Sequence, residues 1–428
     1  MGWLALAFIA ILAILGAPLF VVILAAAMAG FWFADIPLAV IGIEMYRLVD
    51  TPLLLALPLF TFAGYLLAES QLSSRLVRMT SVFLGWMPGG LAVVAFITCA
   101  FFTAFTGASG VTIVALGALL FPALVEAGYR ERFSLGLVTT SGSLGLLLAP
   151  SLPLILYGVV VQQMDLPISF SVQDLFIAGI LPAALMIVLL TVYSLWSNRH
   201  VEIQRGTFSR REAFDAVLDA KWEIPLPFLV LGGIYSGFFA VSEAAAVTAF
   251  YVFLVEVIIH REVTFRQLPS VIRDSMVMVG SILLILGVSL AFTNYLIDAQ
   301  IPQLLFDWVS TFVQSKIMFL ILLNIILLAL GAILDIFSAL VIMVPLIVPV
   351  ALRFGVDPVH LGIIFLANMQ IGYFTPPIGM NLFIASYRFR RSITELYSAT
   401  IPFMLVLLVA LLLITYVPWL SLAFLDRS

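Results

Sequence analysis

The chain has 428 residues, 64% of them hydrophobic and 10% charged, with a mean hydropathy of +1.22 and a net charge of −4. That composition lies far outside the soluble range and describes a polytopic membrane protein, while the small net charge says little about partners. The single cysteine, Cys99, lies in an apolar run and excludes an internal disulfide and any thiolate metal cluster.

The opening stretch, MGWLALAFIAILAILGAPLFVVILAAAMAG, lacks the basic n-region of a secretory signal, has too long an apolar core and precedes no polar secreted domain. It reads as a first membrane helix over 3–29. Further spans are predicted at 51–69, 134–160, 174–197, 224–240, 243–260, 274–297, 360–386 and 400–424. Most reach or approach the roughly 20 residues that cross a ~30 Å hydrocarbon core. Two other apolar stretches, 88–126 and 316–353, are broken in the middle, the first at Thr106-Gly107-Ala108-Ser109-Gly110 and the second near Gly331 to Ser338. Their halves are short for spanning helices, so both read as re-entrant hairpins whose tips meet near the midplane. Directly before each hairpin, 70–83 and 301–315 carry apolar residues at helical spacing, Leu72/Leu76/Met79 and Leu305/Trp308/Val309/Phe312. These read as amphipathic arm helices in the interface, bracing the hairpins. The longest polar loop, 197–223, reads as a solvated cytoplasmic connection.

Basic residues test this count. With the loop at 70–87 in the cytoplasm, fifteen of the nineteen Lys and Arg fall on that side; only Arg47, Lys316, Arg353 and Arg427 do not. The positive-inside rule requires such a bias, and it holds only if each broken stretch enters and leaves on one side. Five predicted spans separate the two hairpins, an odd number that turns the second unit upside down relative to the first. An offset of 227 residues superposes Pro122 on Pro349, Gly128 on Gly355, Gly145 on Gly372 and Pro150 on Pro377. The expected fold class is therefore an all-α polytopic membrane protein with an inverted-topology repeat, two re-entrant hairpins and two broken helices. Scaffold helices are assigned to 1–69 and 161–297, arm helices to 70–87 and 298–315, transport units to 88–160 and 316–386, and a C-terminal helix to 387–428.

In hydrocarbon an unpaired backbone group costs several kcal/mol, so Gly/Ser/Pro clusters at membrane depth imply broken helix lining a cavity or an ion. Gly107, Ser109 and Gly110 at the first tip are expected to face Ser141, Gly142, Ser143 and Gly145. Freed carbonyls and hydroxyls offer oxygen ligands to a small hard cation such as sodium, and helix N-termini offer an anion site. The competing account is that these small residues only let helices pack closely. Asn368, Gly372, Thr375, Pro376, Pro377 and Asn381 repeat the pattern in the second unit, and Asp335 sits at its tip. A carboxylate at membrane depth costs on the order of 2.5–3.5 kcal/mol. Asp335 is therefore expected near a cation or as a proton carrier, the alternative being a hydrogen-bonded Asp that locks the tip. No Arg or Lys falls within the tips or broken helices, so the charge of an anionic substrate must be met by amides, hydroxyls, helix N-termini and bound cations.

A different function was weighed on Gly107-Ala108-Ser109-Gly110, which fits the GxSG pattern of rhomboid intramembrane serine proteases. That chemistry needs a histidine beside Ser109, and His200, His260 and His360 are all expected near membrane surfaces or in loops. The chain also lacks HExxH, a Walker A loop and any nucleic-acid-binding pattern.

The runs LGLVTTSGSLGLLLAPSLPLILYG (135–158), GGIYSGFFAVSEAAAV (232–247) and YFTPPIGMNLFIAS (373–386) strongly resemble the large membrane subunit of tripartite ATP-independent periplasmic (TRAP) transporters, across essentially the whole chain. The resemblance implies a sodium-coupled elevator carrier, not an enzyme, in the bacterial inner membrane. It further implies partnership with a small four-helix membrane subunit and a periplasmic substrate-binding protein, and import of a small organic acid. By motif, Gly107, Ser109, Gly110, Ser141 and Gly145 would frame one sodium site. Asp335, Asn368, Gly372 and Thr375 would frame a second, and Ser109, Ser143, Thr375 and Asn381 would reach the substrate. The orientation expected is N-terminus cytoplasmic and C-terminus periplasmic. The alternative within transport is a stand-alone sodium/dicarboxylate elevator carrier. Where the family pattern has Thr-Pro, this chain has Val241-Ser242, with Ser242 expected as N-cap before Glu243.

Overall fold

In a chain this apolar the backbone must satisfy its own hydrogen bonds, and helices are the way a single segment does so. The computed structural model describes residues 2–164, 166, 170–201, 203 and 208–425; Arg205 and Arg427, used in the topology argument, lie outside them. Seven of the described helices are long and apolar enough to cross a membrane, or up to nine if each of two bent pairs counts as one span.

The expected first span is instead two helices, α1 (Gly2–Ile14) and α2 (Leu19–Phe33). They part at Gly16-Ala17-Pro18, where Gly16 takes φ +79 and Pro18 has no N–H to continue the ladder. A short α3 (Ala39–Arg47) leads into α4 (Ala56–Glu69), α5 (Leu72–Leu84), α6 (Gly90–Thr106) and α7 (Ser109–Glu126). Next come α8 (Glu131–Ser141), a 3₁₀ turn (Leu144–Leu147), α9 (Leu152–Gln162), α10 (Val172–Ala178) and α11 (Ile180–Ser197).

The loop at 197–223 is not wholly a solvated connection. It contains α12 (Arg210–Asp219), which lays buried Ala213 and Ala216 toward α5 and pairs Asp219 with Arg78. A π-helical turn (Phe228–Gly232) separates α13 (Pro225–Pro227) from α14 (Gly233–Tyr235), and α15 (Val241–Phe253) runs into a second π-helical turn, Leu254–Ile259. Ser242 is not the N-cap of α15. The helix starts two residues earlier, on extended Ala240, whose N–H is accepted by Glu243 at 2.9 Å. Ser242 therefore lies inside the first turn, where its side chain cannot cap.

After α16 (Leu268–Asp298) come α17 (Ile301–Phe312), α18 (Lys316–Gly331), α19 (Ile336–Arg353), α20 (Pro358–Gly372), α21 (Met380–Phe389), α22 (Ile393–Tyr416) and α23 (Trp419–Leu422). The chain turns by 112° between α17 and α18, so α17 lies across the hairpin. It keeps Val309 buried while Trp308 and Phe312 are exposed, the disposition of an interfacial arm.

Helix positions follow the 227-residue offset. It carries both ends of α7 onto both ends of α19, and the cis bond before Pro150 onto the one before Pro377. Each broken helix also packs on its own hairpin through a glycine. A Cβ on Gly145 would stand 2.1 Å from the Ala100 carbonyl oxygen and 2.5 Å from the Ala104 nitrogen; one on Gly372 would stand 2.5 Å from Gly331 Cα. Ala104 and Gly331 are themselves 227 residues apart.

Gly145→Ala and Gly372→Ala are expected to cost about 1–3 kcal/mol each through overpacking against backbone. Gly280→Ala, with open space around it inside α16, is expected to gain about 0.5–1 kcal/mol. Thermal unfolding in detergent distinguishes the two directions.

Candidate substrate cavity

The two hairpin tips meet at one cavity of ≈ 530 Å³. Gly107, Ala108, Ser109, Gly110 and Val111 line it from the first tip, and Asp335, Ile336 and Phe337 from the second. Tyr373, Met380 and Ile384 come from the second broken helix, Leu146 from the first, and Glu69 and Met278 from α4 and α16. These lining residues include two carboxylates, Glu69 and Asp335, and no Lys, Arg or His.

The first tip turns at Gly107 in the left-handed region, φ +66, which a side chain would strain. α7 then begins at Ser109 with no side-chain cap. Beneath the tip, Thr103 Oγ1 lies 2.6 Å from Thr112 Oγ1 and donates to the Gly142 carbonyl at 2.8 Å, fastening the tip to the break in the first long helix. Ser109 reaches across to the other unit, donating from Oγ to Asn381 Oδ1 at 2.8 Å. Both residues are buried, and Asn381 Nδ2 has no hydrogen-bond partner.

The second tip closes differently. Asp335 caps α19, accepting from the Phe337 and Ser338 N–H groups at 3.0 Å each and from Ser338 Oγ. The Ile336 N–H donates to Tyr373 Oη at 2.8 Å, Gly379 N–H donates to the Ala332 carbonyl at 3.0 Å, and Asn381 N–H to the Tyr373 carbonyl at 2.9 Å. Every link in this set runs between the tip and the break, or within one of them.

Of the residues singled out from sequence, Gly107, Ser109, Gly110 and Asp335 line the cavity. Asn381 stands behind it, held by Ser109. Ser141 and Thr375 donate to carbonyls of their own helices, Val138 at 3.3 Å and Ile371 at 2.8 Å. Ser143 donates to the Gln370 carbonyl at 3.2 Å, joining the two broken helices at positions 227 apart. Asn368 turns away from the second tip and donates to Asn324 Oδ1 at 2.7 Å, with Asn324 in turn donating to Thr415 Oγ1 at 3.2 Å. Gly145 and Gly372 serve the close packing described above. Tyr373, Thr103, Glu69 and Asn324 were not foreseen. Tyr373 alone had a signal, as the hydroxyl-bearing neighbour of Gly372 in the second break.

The geometry does not support nucleophilic catalysis. Ser109 is held by Asn381, while His200 sits beside Arg199, His260 beside Glu223 and Glu256, and His360 beside Ser421 and the Thr415 carbonyl. None of the three lines the cavity. The fold is that of a polytopic helical membrane protein in which two hairpin tips meet at one cavity.

Residues 5–420 match the family described as "Tripartite ATP-independent periplasmic transporter, DctM component". Over 404 residues the chain is 35% identical to the C4-dicarboxylate TRAP transporter large permease protein DctM of Rhodobacter capsulatus, covering 92% of this chain and 91% of that protein. It is 33% identical over 386 residues to the isethionate TRAP transporter permease protein DctMQ of Oleidesulfovibrio alaskensis, covering 90% of this chain and 60% of that longer protein. Among solved structures, the Alcanivorax borkumensis YdaH transporter shares the fold, with a TM-score of 0.61, 17% identity and coverage of 87% and 85% of the two chains. The chain therefore belongs to the DctM family, the large permease components of TRAP transporters, and is an integral membrane transport protein.

Tyr373→Phe removes the acceptor of the buried Ile336 N–H and is expected to cost about 1–3 kcal/mol. A double-mutant cycle on Ser109→Ala and Asn381→Ala is expected to show about 0.5–1.5 kcal/mol of coupling in thermal unfolding.

Proposed function

We propose that this permease imports a small organic anion together with sodium, by movement of a hairpin-bearing unit against a scaffold. The observation that carries the reading is the cavity lining: two carboxylates, no cationic side chain, and the uncapped N-terminus of α7. An anion bound there meets backbone N–H groups and the positive end of a helix. Its charge, added to those of Glu69 and Asp335, requires cations nearby. Thr106 Oγ1 and Thr140 Oγ1 in the first unit, and Asn368 Oδ1 and Gln370 Oε1 in the second, are buried oxygens without hydrogen-bond partners. Hard cations take such oxygens, and sodium held near the breaks would favour the closed tips. By linkage, ion and substrate then raise each other's affinity by the same factor.

TRAP large permeases work with a substrate-binding protein and a small membrane subunit, and the same assembly is proposed here. Relatives of nearly equal identity are named for C4-dicarboxylates and for isethionate, which suits a permease of broad anion chemistry whose partner selects the acid. The two units are proposed to be an inverted repeat, 88–160 and 316–386, carried by arm helices at 70–87 and 298–315 between scaffold helices 1–69 and 161–297. The segment 387–428 follows, with the N-terminus cytoplasmic and the C-terminus periplasmic.

Asp335→Asn keeps a good helix cap and removes the charge. In proteoliposomes with both partners, this variant and Ser109→Ala are each expected to raise the half-saturating sodium concentration about tenfold, a 1.4 kcal/mol loss. Unchanged sodium dependence in both would place the ions elsewhere, and uptake without the binding protein would favour a stand-alone carrier.

A further inference from the structure

A second polar cluster lies apart from the cavity, where the arm α5 meets the scaffold. Glu223 follows α12, Glu256 and His260 sit on and just after the π-helical turn that ends α15, and Glu262 follows two residues on. Arg75 of α5 pairs with Glu223 and with Glu262, and the Gln71 N–H donates to Glu262 Oε2 at 2.8 Å. Three carboxylates thus face one guanidinium.

Arg75 and Gln71 satisfy Glu262 and one oxygen of Glu223. They leave Glu223 Oε2 and His260 Nδ1 without a hydrogen-bond partner, and Glu256 with none beyond the Ser70 hydroxyl beside it. The Glu256 side chain is 0% exposed, that of Glu223 4% and that of His260 16%. A carboxylate buried this deeply with so few hydrogen bonds is costly, a cost that an ion seated between these groups would offset.

The geometry says what. One donor atom from each of Glu223, Glu256 and His260 lies within 4.8 Å of the others. His260 Nδ1 is 3.7 Å from Glu256 Oε2 and 3.6 Å from Glu223 Oε1, the oxygen that Arg75 also holds, both too long for hydrogen bonds. A tetrahedral ion with N and O ligands at about 2.0–2.2 Å holds them about 3.3–3.6 Å apart. The π-helical turn widens the backbone where Glu256 lies, a local irregularity that recurs at functional sites. A cavity of ≈ 580 Å³, lined by Arg75, Lys221 and His260 among others, reaches the histidine side of the cluster and leaves an entry path there.

We infer that Glu223, Glu256 and His260 form a site for one divalent transition-metal ion of the zinc class, separate from the substrate cavity and joining the arm to the scaffold. An imidazole ligand excludes sodium, magnesium and calcium as preferred occupants, since these take oxygen. The ion neutralises the excess carboxylate charge and ties the end of α15 to the segment that carries Glu223. Through Arg75 it also fixes α5.

The test uses the full chain in detergent, stripped with chelator and titrated with Zn²⁺ against a chromophoric chelator. One equivalent is expected to bind, unaffected by millimolar Mg²⁺. Glu256→Gln and His260→Gln should each weaken it at least about 100-fold, while His200→Gln, at an exposed histidine, should leave it unchanged. Absence of a stoichiometric ion, or affinity indifferent to Glu256→Gln and His260→Gln, overturns the site. Should those variants not stay monodisperse, X-ray absorption at the zinc edge of the unaltered protein decides. A mixed oxygen and imidazole shell supports the site, and a sulfur ligand from Cys99 or a shell without imidazole overturns it.

Discussion

The structure depends on one constraint: inside hydrocarbon, a backbone N–H or C=O that leaves its helix must find another partner in the protein. Each break in this chain meets that demand locally. The Gly142 carbonyl takes Thr103, the Leu146 carbonyl takes Ser151 Oγ at 2.6 Å, and the Gln370 carbonyl takes Ser143. The Ile336, Gly379 and Asn381 amides go to Tyr373 and Ala332. Some of these partners lie on the neighbouring hairpin, Thr103 for the first break and Ala332 for the second, and others within the broken helices themselves. Gly145 and Gly372 bring each broken helix and its hairpin within backbone contact.

The two tips satisfy the same rule unequally. In the second, Asp335 and Tyr373 take up the N-terminal amides of α19, so that tip is closed by its own side chains. In the first, the position 227 residues before Asp335 is Ala108, which has nothing to offer, and α7 opens uncapped onto the cavity. The alanine leaves the first tip as the one with donors to spare for a ligand. Ser109 ties it to Asn381 at the start of α21, so a buried side-chain bond joins the first tip to the second broken helix.

The breaks at Gly107, Pro150, Asp335 and Pro377 were legible in the sequence because Gly, Pro and Asp stand out against an apolar background and each carries a local backbone consequence. The offset of 227 was legible for the same reason, and it matches the helix ends. The split of the first span had its signal in Gly16-Ala17-Pro18, but composition alone outweighed it. Side-chain direction was not legible: Asn368 looks toward Asn324, and Thr375 bonds its own helix, because tertiary neighbours and not spacing decide these. α12 was hidden by its polarity, since a helix that packs on an arm with two alanines carries little periodic apolar signal. Glu223 and Glu256 stand too far apart in sequence for any local pattern to join them.

The lack of a cationic side chain in the cavity lining has an electrical consequence. The lining carries the carboxyl groups of Glu69 and Asp335 and no Lys, Arg or His to offset them. Under the proposed movement of the hairpin unit, the charge it carries differs between the loaded and the empty passage only by what its ligands bring. Each elementary charge displaced through 100 mV of membrane potential is worth about 2.3 kcal/mol. On that reading a dianion accompanied by two sodium ions adds nothing to that charge, so a full cycle moves no net charge, whereas a third ion would let the membrane potential drive the cycle inward. With the proposed sodium coupling, the ratio of ions to substrate would then decide whether membrane voltage adds to the driving force for uptake.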